Sequence, residues 1–77
     1  MNINMYTKSN CSNCVAAKQL LKSKGLDYLE IDVELESRWK NLIKEFPDAR
    51  QMPQIFINEQ RVGGLAGLQA ALAKLGV

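Results

Sequence analysis

The residues most able to do chemistry in this chain are two cysteines, set three apart as Cys11-Ser12-Asn13-Cys14, with no other cysteine among the 77 residues. A C-x-x-C spacing suits either half of a tetrahedral metal site or a pair that cycles between dithiol and disulfide. Structural zinc wants four ligands, and a chain with no histidine and no further cysteine has no thiol or imidazole to complete the set. A third reading is two small buried core residues that happen to sit at this spacing, since free cysteine is among the most buried residue types. A βαβ context with the pair at a helix start favours the redox chemistry over both.

The attacking species in disulfide exchange is the thiolate, and an ordinary thiol is mostly protonated at neutral pH. A helix N-terminus stabilises the anion with unpaired backbone N–H groups and the positive end of the macrodipole. Cys11 is expected at such a start and is assigned as the nucleophile. Lys8, three residues earlier, adds positive charge near the same sulfur or near an anionic substrate. Cys14 lies one helical turn further on the same face and is assigned as the resolving thiol, which attacks the mixed disulfide formed by Cys11.

Positioning these groups requires a regular scaffold. Ile3 and Met5 alternate with polar neighbours and predict a short first strand that runs into a loop at Thr7-Lys8-Ser9-Asn10. From Ser12 to Lys24 the apolar positions Val15, Ala16, Ala17, Leu20 and Leu21 fall at helical spacing, with Gly25 as the stop. Residues Tyr28 to Val33 alternate with period two, placing Leu29, Ile31 and Val33 on one side of a second strand parallel to the first. Leu35, Trp39, Leu42, Ile43 and Phe46 then mark an amphipathic helix ended by Pro47-Asp48. Ile55-Phe56-Ile57, the turn Asn58-Glu59 and Gln60-Arg61-Val62 read as an antiparallel hairpin closed by Gly63-Gly64. Leu65, Leu68, Leu72 and Leu75 line one face of a last helix that ends at Gly76. The expected architecture is an α/β fold of order βαβαββα, a four-stranded mixed sheet flanked by three helices in one domain over residues 1–77.

Ten basic and eight acidic residues, a formal net charge of +2, are mixed along the chain without a basic run, which argues against a nucleic-acid partner. The start, Met1-Asn2-Ile3-Asn4-Met5, lacks the pattern of a secretory signal, and no apolar stretch approaches membrane-spanning length. A cytoplasmic, monomeric protein is expected, in a compartment where a lone cysteine pair reacts rather than braces.

Three separated segments carry a resemblance to a known family. The opening Tyr6-Thr7-Lys8-x-x-Cys11-x-x-Cys14, the segment Met52-Pro53-Gln54-Ile55-Phe56-Ile57 and the pair Gly63-Gly64 together resemble the glutaredoxins, over essentially the whole chain. The resemblance implies the thioredoxin-like fold and a dithiol oxidoreductase that reduces protein disulfides or glutathione mixed disulfides, with glutathione as reductant. It implies a cis peptide bond before Pro53, with the Met52 backbone pairing with an extended substrate or glutathione. It further implies Lys8 at the glycyl carboxylate and backbone groups of Gly64 and Leu65 at the γ-glutamyl end, with Asn13 and Gln51 beside the ligand.

The chain departs from the family pattern in three places. Ser12-Asn13 stands where Pro-Tyr is common, removing a preformed first helical residue and an aromatic wall. Gln51-Met52 replaces a frequent Thr-Val, a mild change because the contact there is made by backbone. Leu65-Ala66-Gly67-Leu68 lacks the aspartate that many members carry after the double glycine, and losing such a charge-assisted bond weakens binding by about 1.5–3 kcal/mol. Two other readings therefore accompany the main one. In one, the protein is a redoxin reduced by thioredoxin reductase, for example serving ribonucleotide reductase. In the other, it is a glutathione-assisted [2Fe-2S] carrier that uses Cys11 from two chains. A structural adaptor of the same fold is the non-chemical alternative.

Overall fold

The strand at Ile3–Thr7 (β1) sits inside a four-stranded sheet, with the strand at Leu29–Asp32 (β2) parallel on one side and that at Gln54–Ile57 (β3) antiparallel on the other. The strand at Gln60–Gly63 (β4) completes the order β2-β1-β3-β4. Three helices connect or follow the strands, Ser12–Ser23 (α1), Glu36–Glu45 (α2) and Leu65–Leu75 (α3). This is a computed structural model, and it describes residues 1–34 and 36–77. The element order matches the order expected from hydrophobic periodicity. Leu35, assigned to the apolar face of the second helix, lies outside the described residues.

Alternation along β1 divides the core in two. Ile3 and Met5 turn to one face and pack with Ala17 and Leu21 of α1, Ile55 and Ile57 of β3, and Leu68 and Leu72 of α3. Phe56 turns to the other face, where it joins Val33, Leu42, Ala49 and Met52, with Tyr6, Trp39 and Phe46 packed around them. Cys14 belongs to this second cluster, and Cys11 packs against it. Fully burying a leucine such as Leu21, Leu68 or Leu72 contributes about 1.5–3 kcal/mol, which is what holds so short a chain around its sheet.

Three side chains differ from their expected placement. Val15 was assigned to the inner face of α1 but is 52% exposed, and the buried positions are instead Cys14, Ala17 and Leu21. These follow i, i+3, i+7, so a stripe one residue away from Val15 meets the sheet. Leu29 is 60% exposed although Val33 on the same side is buried. β2 is an edge strand, and Leu29 pairs in register with polar Asn4 rather than with a core residue. Leu75 is also exposed, because the last turn of α3 runs beyond the sheet that covers Leu68 and Leu72. The second strand is shorter than expected, Leu29–Asp32, and Val33 follows it in a turn with its N–H on the Thr7 carbonyl at 2.9 Å.

The return from β4 into α3 is tight. Gly63 has φ +99°, and at Gly67, inside α3, a Cβ would fall 1.8 Å from the Val62 carbonyl oxygen. The helix therefore lies directly on the strand that precedes it.

Candidate active site

Cys11 is the N-cap of α1, with extended backbone at φ −120° and ψ 101°. Its carbonyl accepts the Val15 N–H at 3.2 Å, and its Sγ accepts the Cys14 N–H at 3.1 Å. The sulfur thus occupies the position that a serine or aspartate oxygen takes at an ordinary helix start. No acidic residue lies in the first turn to oppose a negative charge there. Cys11 and Cys14 are joined as a disulfide, with their Cα atoms 5.2 Å apart.

The pair is asymmetric. Cys14 is 1% exposed and sits in the second core cluster, whereas Cys11 is only partly buried. An incoming group can reach one sulfur and not the other. The arrangement follows from local sequence, because C-x-x-C at a helix start sends its second cysteine inward with Ala17 and Leu21 while the first stays on the rim.

The loop that delivers Cys11 is held from the turn that follows β2. Asn10 adopts φ +55°, a left-handed conformation that asparagine tolerates better than most residues. The Ser9 N–H donates to the Glu34 carboxylate, and hydrogen bonding first from the Ser9 side chain and then from this N–H keeps the Glu34 carboxyl below its ordinary value. Lys8 is exposed in the same loop.

Facing the cysteines is the segment Gln51-Met52-Pro53. The Met52–Pro53 peptide is cis, in agreement with the expectation for Pro53. The Met52 carbonyl oxygen lies 3.6 Å from Cys11 Sγ. Met52 and Pro53 are buried, and Gln51 is exposed. Gly64, the N-cap of α3, approaches this segment from the other side: a Cβ placed there would stand 3.5 Å from the Pro53 carbonyl oxygen. No side chain caps α3 and no acidic residue lies in its first turn, leaving backbone N–H groups to face whatever binds there.

Between these pieces runs a groove of about 260 Å³. Asn13, Gln51, Met52, Pro53, Gly64 and Leu65, six of the residues singled out in the sequence, line it together. Gln54, Ala66 and Gly67 complete the lining. Lys8, Cys11 and Cys14 do not line it, and of these Cys11 is joined to its wall through the Met52 carbonyl. Two of the completing residues escape sequence reasoning. Gln54 reads as an ordinary strand position, yet its Nε2 donates to the Gln51 carbonyl at 2.8 Å and clasps the segment before the cis bond. Gly67 carries a signal in retrospect, because glycine inside a helix costs about 1 kcal/mol relative to alanine and needs a packing reason. Among the described residues no cluster of three or more His, Cys, Asp or Glu side chains is gathered as for a metal ion, and no helix is long and apolar enough to cross a membrane.

Comparison with known proteins agrees with this geometry. A family model described as Glutaredoxin matches residues 3–62. Glutaredoxin 3 of Escherichia coli K12 is 34% identical over 76 residues, covering 99% of this chain and 92% of that protein. A probable glutaredoxin of Synechocystis is 39% identical over 70 residues, covering 88% of this chain and 78% of its own length. The solution structure of reduced Escherichia coli glutaredoxin superposes with a TM-score of 0.79 at 26% identity, each chain covered completely.

Proposed function

Because this chain belongs to the glutaredoxin family and is thus a redox protein of the thiol-disulfide type, we propose that it reduces protein disulfides or glutathione mixed disulfides through Cys11 and Cys14, with glutathione restoring the dithiol. The observation that carries this reading is the asymmetry of the pair, Cys11 on the rim as a helix N-cap and Cys14 buried behind it. In the reduced protein the Cys14 N–H and the start of α1 stabilise negative charge on Cys11 Sγ.

The Cys11 thiolate attacks one sulfur of the substrate disulfide. The new bond joins Cys11 to that sulfur, the old S–S bond breaks, and the departing thiolate takes a proton from water. Cys14, as thiolate, then attacks Cys11 Sγ, which forms the Cys11–Cys14 disulfide and expels the second substrate thiol. Two glutathione molecules reverse the oxidation: the thiolate of the first attacks Cys11 Sγ, forming a mixed disulfide there and freeing the Cys14 thiol, and the second attacks the glutathionyl sulfur, releasing the Cys11 thiolate and leaving joined to the first as oxidised glutathione.

An extended substrate laid against Met52 would pair with its backbone, the strand-addition mode. Lys8 attracts a ligand carboxylate, and Gly64 and Leu65 offer backbone groups at the far end of the groove, where Asn13 and Gln51 form the walls. A reducing compartment such as the cytoplasm suits this chemistry. Reduction by thioredoxin reductase is a second reading, favoured by the absence of an acidic residue in the first turn of α3.

The test is a Cys14→Ser protein exposed to oxidised glutathione and examined by intact mass. One glutathionyl group on Cys11 is expected. Its absence would remove glutathione as the partner, and activity with thioredoxin reductase and NADPH alone would then identify the donor.

A further inference from the structure

One wall of the groove is the segment Gln51-Met52-Pro53, and a single side chain holds it. Gln54 is 9% exposed, and its Nε2 donates to the Gln51 carbonyl at 2.8 Å. Among the described residues the carboxamide makes no other hydrogen bond, and its Oε1 is buried without a partner. A buried acceptor left open destabilises a fold, so stability does not account for this side chain. Arg61 lines the neighbouring hollow with Gln54, but both terminal nitrogens of its guanidinium go to the Asp48 carboxylate, at 3.0 and 2.8 Å. The donor for the Gln51 carbonyl is therefore Gln54.

We propose that Gln54 is a positioning residue: by holding the Gln51 carbonyl it fixes the peptide plane between Gln51 and Met52 and so presents the Met52 N–H to an extended substrate. The inference rests on the oxidoreductase reading above, in which a substrate strand pairs with the Met52 backbone, and it names what keeps that backbone ready. The Gln51–Met52 peptide is trans. In a trans peptide the C=O and the N–H point in opposite directions, so fixing the Gln51 carbonyl on Gln54 turns the Met52 N–H away from Gln54. That N–H forms no hydrogen bond among the described residues, and Pro53 has no N–H to offer in its place. The Met52 carbonyl oxygen lies 3.6 Å from Cys11 Sγ, so the free donor belongs to a residue beside the reacting sulfur. Without the clasp neither end of the Gln51–Met52 plane has a partner, and the plane can turn over about its flanking torsions. A substrate would then have to fix that orientation as it binds, an entropy cost that the clasp removes in advance.

The experiment follows the reduced protein in single turnover against two disulfides, a peptide carrying a glutathione mixed disulfide and a dipyridyl disulfide, which has no peptide group to pair. Gln54→Met keeps the volume and removes both the donor and the orphaned acceptor. Its rate constant for the peptide disulfide is expected to fall about five- to tenfold, with the dipyridyl rate unchanged and the urea midpoint no lower than wild type. Gln54→Lys returns an N–H donor of similar reach and is expected to bring the peptide rate back to within about twofold of wild type. A Gln54→Met protein that keeps the wild-type ratio of the two rates, whether both stay or both fall, overturns the inference, and so does a ratio that Gln54→Lys leaves lost. A wild type that attacks the dipyridyl disulfide but not the peptide disulfide refutes the substrate reading itself, so the two failures are seen in different proteins. Should neither variant fold, hydrogen exchange in the wild-type protein decides the matter. The Gln54 side-chain N–H is expected to exchange more slowly with S-methylglutathione bound, because pairing at Met52 and the clasp favour the same orientation of one peptide plane, and equal exchange with and without it overturns the inference.

Discussion

Replacing Gly67 with alanine isolates how α3 is seated on the sheet. Alanine is the better helix former by about 1 kcal/mol, so on propensity alone the variant should be more stable. The structure reverses that sign. The added Cβ would fall 1.8 Å from the Val62 carbonyl oxygen and 2.8 Å from its carbon, both backbone atoms that no rotamer change can move. Ordinary contact requires α3 to retreat by about 1.5–2 Å. Leu68 and Leu72, both buried against β1 and β3, would retreat with it.

A radial gap of even 0.5–1 Å forfeits about a quarter to a half of the dispersion well, and each of these leucines contributes about 1.5–3 kcal/mol when buried. With the strain of overpacking at about 1–3 kcal/mol and the propensity gain subtracted, the net destabilisation is about 1–4 kcal/mol. A chain of this length has about 4–12 kcal/mol to lose. Urea unfolding of the reduced proteins measures the change, with the midpoint for Gly67→Ala expected to fall by about 1 M or more. Ala70→Gly, at an exposed position of the same helix, provides the propensity control and should lose no more than about 1 kcal/mol. A Gly67→Ala midpoint equal to or above wild type would refute the close seating of α3 on Val62.

Three further outcomes are expected. Glu59→Gly should stabilise the protein by about 1 kcal/mol, because Asn58 and Glu59 turn the β3–β4 hairpin at φ +50° and +71°, a conformation that penalises a glutamate; a lowered urea midpoint would contradict this. The Glu30 carboxyl is held below its ordinary 4.5 by hydrogen bonds first from Lys18 and then from Thr7. Its stabilisation is fully present above pH 4.5 and fades as the pH falls through the lowered value, so the difference in urea midpoint between wild type and Glu30→Gln should be constant at neutral pH and shrink in acid. Both partners are partly exposed, which limits the effect to about 0.2–1 kcal/mol, reduced further in high salt. Lys8→Gln should raise KM for a glutathione mixed disulfide by about two- to fivefold at low ionic strength and less in salt, with the far-ultraviolet spectrum unchanged; a salt-independent effect would argue against a charge contact.

Short-range information was enough for the chemistry and for the order of elements. The C-x-x-C at a helix start depends on a turn's worth of residues, and periods of 2 and 3.6 mark strands and helices wherever one face is apolar. The cysteine pair, the three helices, the hairpin turn at Asn58-Glu59 and the element order βαβαββα were therefore legible in the chain. Periodicity does not say how far a neighbouring element extends, which is why Val15, Leu29 and Leu75 looked internal and are exposed.

The composition of the groove depended on tertiary contact. Asn13 belongs to the first helix, Gln51 to Gln54 to the approach to the third strand, and Gly64 to Gly67 to the last helix, and only the sheet order β2-β1-β3-β4 brings them to one place. The sequence by itself determined which cysteine caps the helix and which turns inward, since an N-cap and its inward-facing partner follow from three residues of spacing. The tertiary structure decided what stands opposite the capping sulfur: the Met52 carbonyl across a cis bond, a helix seated on Val62 through Gly67, and a buried glutamine acceptor left open. These are contacts between segments remote in the chain, and no local propensity encodes them.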